Sequence, residues 1–202
     1  RTSPYDFQGL QHEGLKILSV VSKEIDMPVV TEIMDTRDVE NALPYLDMIQ
    51  IGSRNMYNYS LLKEVGAAKI PVLLKRGMSA TLSEWLHAAE YILSFGNEKV
   101  VLCERGIRTF ENYTRNTLDL NSVAVIKQKY RLPVLVDPSH GTGLRELVPG
   151  MSMAAVAAGA DGLLIESHIY PEKSVSDARQ TISMETLGEI YKKVKIYEGF
   201  NL

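Results

Sequence analysis

The stretch Leu132-Pro133-Val134-Leu135-Val136-Asp137-Pro138-Ser139-His140 joins a short apolar run to ionisable side chains. Apolar, β-branched runs bounded by breakers are typical of buried parallel strands. The pattern occurs six times along the chain, and each run ends in, or is closely followed by, an ionisable residue. The predicted strands are residues 28–33, 47–52, 71–76, 99–104, 132–137 and 161–166.

Longer amphipathic stretches separate these runs. Their apolar residues recur at spacings of three and four, which predicts helices over residues 10–25, 36–46, 79–95, 119–130 and 182–194. Strands that alternate with helices form a parallel α/β sheet. Both a (β/α)8 barrel and an open doubly wound sheet have this alternation.

The residues at the strand ends favour the barrel. In a barrel all C-terminal strand ends meet at one mouth, whereas an open sheet spreads them along an edge. Ionisable groups follow all six strands: Glu32, Arg54, Lys75 with Arg76, Glu104 with Arg105, Asp137 with His140, and Glu166 with His168. We therefore predict one partial (β/α)8 TIM-barrel domain over residues 1–202, with about six of the eight strands present.

Composition narrows the functional classes. The chain of 202 residues is 45% hydrophobic with a net charge of −3, so bulk attraction to nucleic acid or membrane is not expected. The single cysteine, Cys103, excludes an internal disulfide and favours a cytoplasmic location. Cys103 alternates with Glu104 along its strand, which predicts a buried packing thiol. No P-loop, nucleophile elbow or dinucleotide fingerprint is present.

Two sets of strand-end residues suggest chemistry. The cations Arg54, Lys75 and Arg105 suit phosphate and carboxylate groups, and arginine can bind these as a fork. His140, Glu166 and Asp177 combine imidazole with carboxylates, which suits a divalent cation such as Mn, Fe, Co or Zn. From spacing alone a structural histidine is the more common case. His168 ranks lower as a ligand, and His12 and His87 are interpreted as surface or packing residues.

Several longer motifs resemble the type I 3-deoxy-D-arabino-heptulosonate 7-phosphate (DAHP) synthases, in the subgroup nearer the 3-deoxy-octulosonate 8-phosphate synthases. The resemblance runs from Arg1 to about Ile182, with the motifs in the family's order. They are Arg1-Thr2-Ser3-Pro4-Tyr5-Asp6-Phe7-Gln8-Gly9-Leu10, Ile51-Gly52-Ser53-Arg54-Asn55-Met56, Leu74-Lys75-Arg76-Gly77, Cys103-Glu104-Arg105-Gly106-Ile107-Arg108-Thr109, Val136-Asp137-Pro138-Ser139-His140 and Ser176-Asp177.

The resemblance implies roles for individual residues. His140, Glu166 and Asp177 match three of the family's four metal ligands. Matches to the phosphoenolpyruvate site are Arg54, Lys75 and Arg105, and Arg1 and Thr2 match a loop that grips the phosphate of erythrose 4-phosphate. Glu104 matches an acidic group near the reacting carbons, so Lys75, Glu104 and His140 are the candidate catalytic residues. The fourth ligand, a cysteine, and a further lysine would precede Arg1.

The implied activity is a transferase reaction without an organic cofactor. Phosphoenolpyruvate condenses with erythrose 4-phosphate and water to give DAHP and phosphate, the first step of the shikimate pathway to aromatic amino acids. A homo-oligomer, dimer or tetramer, is expected. The alternatives are a 3-deoxy-octulosonate 8-phosphate synthase acting on arabinose 5-phosphate, a metal-dependent aldolase, and a non-catalytic fragment. We expect residues 1–202 alone to be inactive or nearly so, with the native polypeptide extending upstream.

Overall fold

The computed structural model describes Tyr5 and residues 7–200, and side chains as far as Tyr197. Strands and helices alternate along it. The strands are β1 (Val30–Glu32), β2 (Met48–Ile51), β3 (Val72–Lys75), β4 (Val100–Glu104), β5 (Val134–Val136) and β6 (Gly162–Leu163). The α-helices are α1 (Gln11–Ile25), α2 (Thr36–Ala42), α3 (Tyr59–Ala68), α4 (Leu82–Ser94), α5 (Leu120–Val125), α6 (Pro138–Thr142), α7 (Val148–Ala157) and α8 (Met184–Phe200).

All six predicted strands are present, each shorter than its predicted range. The five predicted helices are present too, although two of them change type near the end. A 3-10 turn over Leu43–Tyr45 follows α2, and a π-helical turn over Ile126–Tyr130 follows α5. Three helices, α3, α6 and α7, were missed. The last of these is apolar on all sides and therefore shows no amphipathic period.

Aspartate and asparagine side chains cap the N-termini of the helices that follow several strands. Asp35 accepts from the backbone N–H of Arg37 before α2, and Asn58 accepts from that of Leu61 before α3. Asp119 caps α5 in the same way. These short polar side chains satisfy donors that a first helical turn leaves unpaired, so each helix begins at a defined residue.

Contacts divide the chain into two compact units. The first comprises the residues up to Gly77 together with Ser83–Val101. Within it β1 pairs in parallel with β2, and β2 with β3, in a register that places Ile49 beside Val72. All four residues of β3 are buried, including Lys75, which is 6% exposed. Trp85 of α4 is fully buried, and its indole N–H donates to the Leu74 carbonyl over 3.2 Å.

The second unit comprises Met78–Leu82 and the residues from Leu102 onward. Here β4 pairs in parallel with β5, and β5 with β6. A buried apolar cluster is formed by Val148 of α7, Ile190 of α8 and Ile182, which lies just before α8. The residues of the candidate metal centre follow β5 and β6, and they all lie within this unit.

Helix α1 is largely exposed, whereas the last residues of strand β4 are buried. None of the residues of α1 is buried, and the helix exposes the aliphatic side chains of Ile17, Val20, Val21 and Ile25. Among the described residues no helix has the length and apolar character needed to cross a bilayer. Cys103 in β4 is fully buried, as predicted from its alternation with Glu104. Glu104 is fully buried as well.

Candidate metal centre

Helix α6 starts at the end of β5 and orients His140. Asp137 caps this helix, with its Oδ1 accepting from the His140 backbone N–H over 2.9 Å, and Pro138 occupies the first turn. The other carboxylate oxygen, Oδ2, lies 2.7 Å from His140 Nδ1. A carboxylate that accepts from one ring nitrogen holds the imidazole in one tautomer and leaves Nε2 free to act as a ligand.

Glu166 lies opposite that nitrogen. Its Oε1 is 3.3 Å from His140 Nε2, and its backbone N–H donates to the Ser139 hydroxyl over 3.0 Å. Burial raises the pKa of the Glu166 carboxyl; Asp177 also raises it, while His140 and Gln180 oppose the shift. A carboxylate withdrawn from water in this way gains from a bound cation.

Asp177 completes the cluster. Ligand atoms of His140, Glu166 and Asp177 all lie within 4.8 Å of one another. Asp177 adopts a left-handed backbone conformation, with φ of 51°, which aspartate tolerates better than most residues. Its carbonyl accepts from the Gln180 N–H and the Thr181 hydroxyl, which holds the turn. One imidazole and two carboxylates are a donor set suited to Mn, Fe, Co or Zn, so the residues present fit such an ion.

Two further residues connect the carboxylates. Arg115 Nη1 donates to Asp177 Oδ1 over 2.7 Å and to Gln180 Oε1 over 2.8 Å. Gln180 Nε2 donates in turn to Glu166 Oε2 over 3.0 Å. Neither residue was predicted from the sequence. Both lie in irregular segments, and only their fold-dependent contacts with predicted ligands identify them.

The strand-end residues of β4 are buried beside these segments. Glu104 Oε1 accepts from the Gly106 backbone N–H over 2.6 Å. Arg105 is 3% exposed, and burial lowers the pKa of its guanidinium, although Asp137 and Glu104 act in the opposite direction. A buried guanidinium stays charged at neutral pH and can bind an anion strongly.

The remaining predicted residues lie in the first unit. Lys75 and Arg76 follow one another at the end of β3, and the Arg76 guanidinium lies 5.7 Å from the centre of the Trp85 ring. Arg54 lies in a 3-10 turn after β2 and is exposed. A Cβ on Gly52 of this segment would collide with the Glu32 carboxylate in its present position, so a larger residue there would displace the Glu32 side chain. The predicted phosphate-binding residues Arg1 and Thr2 lie outside the described residues.

The other histidines have local roles. His168 Nδ1 accepts from the Tyr170 backbone N–H over 2.9 Å, and His168 is not part of the cluster. His12 packs edge-on against Tyr45, with ring centres 5.3 Å apart. His87 of α4 is exposed. These positions agree with the interpretation of His12 and His87 as packing or surface residues.

The strands, helices and donor set together define a parallel (β/α) chain with a candidate divalent-metal centre. The sequence matches the DAHP synthetase I family over residues 1–198. The chain belongs to this family, as its motifs indicated. Its fold class is the (β/α)8 TIM barrel, with six of the eight strands in this chain.

Individual relatives agree with this assignment. Phospho-2-dehydro-3-deoxyheptonate aldolase of Thermotoga maritima is 49% identical over 195 residues, which is 96% of this chain and 58% of the relative. The crystal structure of this DAHP synthase superposes with a TM-score of 0.94 at 47% identity, again over 96% of this chain and 58% of the other. A 2-dehydro-3-deoxyphosphooctonate aldolase of Geobacter sulfurreducens is 33% identical over 98% of this chain and 76% of the relative. The chain thus spans little more than half the length of the Thermotoga relative.

Proposed function

We propose that the protein containing this chain is a DAHP synthase, a transferase that condenses phosphoenolpyruvate with erythrose 4-phosphate and water, and that the chain supplies most of its metal site. The observation that carries the proposal is the cluster of His140, Glu166 and Asp177 within 4.8 Å in a member of this family. Asp137 supports it, because a carboxylate on the far nitrogen of a histidine is typical of metal ligands.

The residues of the cluster have distinct tasks in this proposal. Asp137 holds the proton on His140 Nδ1, so that Nε2, which faces Glu166, can act as the metal-binding atom. Glu166 and Asp177 supply negative charge, which a divalent cation neutralises. A divalent metal at this position supplies a Lewis acid that polarises the aldehyde of the sugar phosphate. Mn, Fe, Co and Zn are the candidate ions, and no organic cofactor is part of the proposal.

The buried cations are proposed to hold the anionic substrates. Arg105 and Lys75 are 3% and 6% exposed, and charges so far removed from water interact more strongly with a phosphate or carboxylate than surface charges do. Arg54 is proposed as a third contact to phosphoenolpyruvate. Glu104 accepts from the Gly106 N–H and is proposed to act near the reacting carbons. Arg1 and Thr2 are proposed to grip the phosphate of erythrose 4-phosphate.

An assay of the intact protein with two sugar phosphates tests the substrate. We expect phosphate release from phosphoenolpyruvate with erythrose 4-phosphate and little with arabinose 5-phosphate. The second sugar is the serious alternative, because the Geobacter relative is named for the octonate product. Faster turnover with arabinose 5-phosphate would reverse the assignment. Condensation without phosphate release would indicate an ordinary metal-dependent aldolase instead.

Removing either buried cation should affect the use of phosphoenolpyruvate. Lys75→Ala and Arg105→Ala are each expected to lower kcat/KM for phosphoenolpyruvate about a hundredfold, because a fixed charge beside the developing anion is lost. Steady-state kinetics of the intact protein measure the effect. Lys129→Ala and Arg131→Ala are the matched controls, since both side chains are exposed. Wild-type kinetics from both buried-site variants would remove these residues from the proposed site.

Three properties of the whole protein complete the proposal. We propose a cytoplasmic location, supported by the single buried cysteine. We also propose a homo-oligomer, dimer or tetramer, and a role at the start of aromatic amino acid biosynthesis. The interpretation of residues 1–202 as a single catalytic domain stays a prediction.

A further inference from the structure

The segment Arg115–Asn116 contacts the helix that carries His140 and the Asp177 side chain, and it is linked to Glu166 through Gln180. We infer that Arg115, acting with Gln180, is a positioning residue that sets the separation of the two carboxylate ligands, Glu166 and Asp177. The inference rests on the metal site of the proposed function. It adds two residues that the motifs did not indicate, and it assigns them a task that can be measured without either substrate.

The backbone of this segment is fixed against helix α6. The Arg115 N–H donates to the Thr142 carbonyl over 2.9 Å, and the Asn116 N–H donates to the Gly141 carbonyl over 3.2 Å. Asn116 Nδ2 also donates to the carbonyl of His140 itself, over 2.8 Å. The backbone of Arg115 is therefore held by hydrogen bonds to the helix that carries the histidine ligand.

Two glycines show how closely the segment fits. A Cβ on Gly143, just after α6, would collide with the Cβ of Arg115. A Cβ on Gly106 would come 2.6 Å from that of Asn116, and Gly106 also has a positive φ of 91°. Paired bonds of 2.9 Å between Ile107 and Thr117 close the base of the loop. The loop can therefore move little without breaking these contacts.

The side chains then connect the two carboxylates. One nitrogen of Arg115 donates to Asp177 Oδ1 and Gln180 Oε1, and the amide nitrogen of Gln180 donates to Glu166 Oε2. Gln180 is 2% exposed, so its amide has little freedom to reorient. Each carboxylate uses one oxygen in this network. The network therefore orients both ligands and offsets the repulsion between two nearby negative charges.

The sign of the effect separates positioning from simple electrostatics. A cation close to the site repels a bound divalent ion, so loss of the Arg115 charge alone would tighten metal binding. Loss of the positioning contacts weakens it, by about tenfold to a hundredfold for residues that orient ligands. Weaker binding in Arg115→Ala is thus evidence for the positioning role specifically.

The test measures Mn²⁺ binding to the intact, metal-stripped protein by equilibrium dialysis. We expect the dissociation constant to rise about tenfold to a hundredfold in Arg115→Ala and in Gln180→Leu. Arg115→Lys, which keeps a charge and a donor, should recover part of the loss. The visible spectrum of bound Co²⁺ should also change in Arg115→Ala, because the ligand geometry is altered.

Arg179→Ala is the matched control. Arg179 is exposed, lies two residues from Asp177, and its loss removes the same charge without breaking a contact to a ligand. Its Mn²⁺ dissociation constant should stay within about twofold of wild type, or fall slightly. Circular dichroism and thermal melting in EDTA establish that each variant is folded, and the lysine variant serves if the alanine variant is not.

Two results would overturn the inference, and they differ. Mn²⁺ binding in folded Arg115→Ala as tight as in wild type, or tighter, rejects the positioning role and leaves the metal site intact. Failure of the wild-type protein to bind any Mn²⁺ or Co²⁺ rejects the proposed metal site and this inference together.

Discussion

Replacing His140 by alanine is expected to abolish both metal binding and turnover. The side chain supplies Nε2 to the cluster, is held by Asp137 through Nδ1, and is the one imidazole of the cluster. A bound Lewis acid contributes several kcal/mol to stabilising a developing charge, so we expect turnover to fall by about a thousandfold or more. Phosphate release and the metal content of the purified protein measure the two effects.

His87→Ala is the control for this substitution. His87 lies exposed on α4, in the other compact unit, and its loss should leave turnover and metal content unchanged. A His140→Ala protein that keeps its metal and at least a tenth of wild-type turnover contradicts the assignment of His140. His140→Asn separates the loss of the metal ligand from the loss of the hydrogen bond to Asp137, because the asparagine amide nitrogen can take the place of Nδ1 as a donor while Nε2 is removed.

Replacing Trp85 by alanine is expected to destabilise the protein more than any exposed substitution. Trp85 is fully buried and its indole N–H donates to the Leu74 carbonyl over 3.2 Å. Truncating a buried tryptophan costs about 3–5 kcal/mol, from lost burial and the cavity that remains. Urea unfolding of the intact protein, followed by circular dichroism because Trp85 is the only tryptophan of residues 1–202, measures the change.

Two further variants serve as controls for the Trp85→Ala substitution. Phe110→Ala removes an aromatic ring that is 99% exposed and should change the free energy of unfolding by less than about 0.5 kcal/mol. Trp85→Phe keeps most of the buried volume and loses the hydrogen bond to Leu74, so an intermediate effect is expected. If Trp85→Ala costs no more than Phe110→Ala, Trp85 does not stabilise the fold.

The strands and the clustering of the candidate metal ligands were the most predictable parts of this protein. Each strand is a short apolar run between breakers, and the runs leading to Lys75, Glu104 and Asp137 end where the structure ends β3, β4 and β5, to within one residue. The carboxyl ends of parallel strands lie at the same end of the sheet, so the ionisable residues after every strand indicated where the site would lie. The family motifs then singled out His140, Glu166 and Asp177, which the structure brings together.

The parts that were missed depend on tertiary contacts. Helix α7 is apolar on all sides, so its period is invisible in sequence even though it packs against α8. Arg115 and Gln180 lie 65 residues apart in the chain and in irregular segments. No local pattern marks an arginine that will bind an aspartate across such a distance. Asp137 was recognised as a strand-end charge. Its hydrogen bonds to His140 could not be predicted, because they depend on the geometry of the N-cap of α6.

The burial of Cys103 provides a natural probe of motion in β4. The thiol is fully enclosed and is the only cysteine among residues 1–202, so a thiol-reactive label found on a peptide of this chain marks that one sulfur. Modification requires the strand to open, because only the exposed thiolate reacts. The labelling rate in native buffer therefore measures how often β4 separates from its surroundings. Since Glu104 and Arg105 follow directly, it reports on the opening of the strand that carries them.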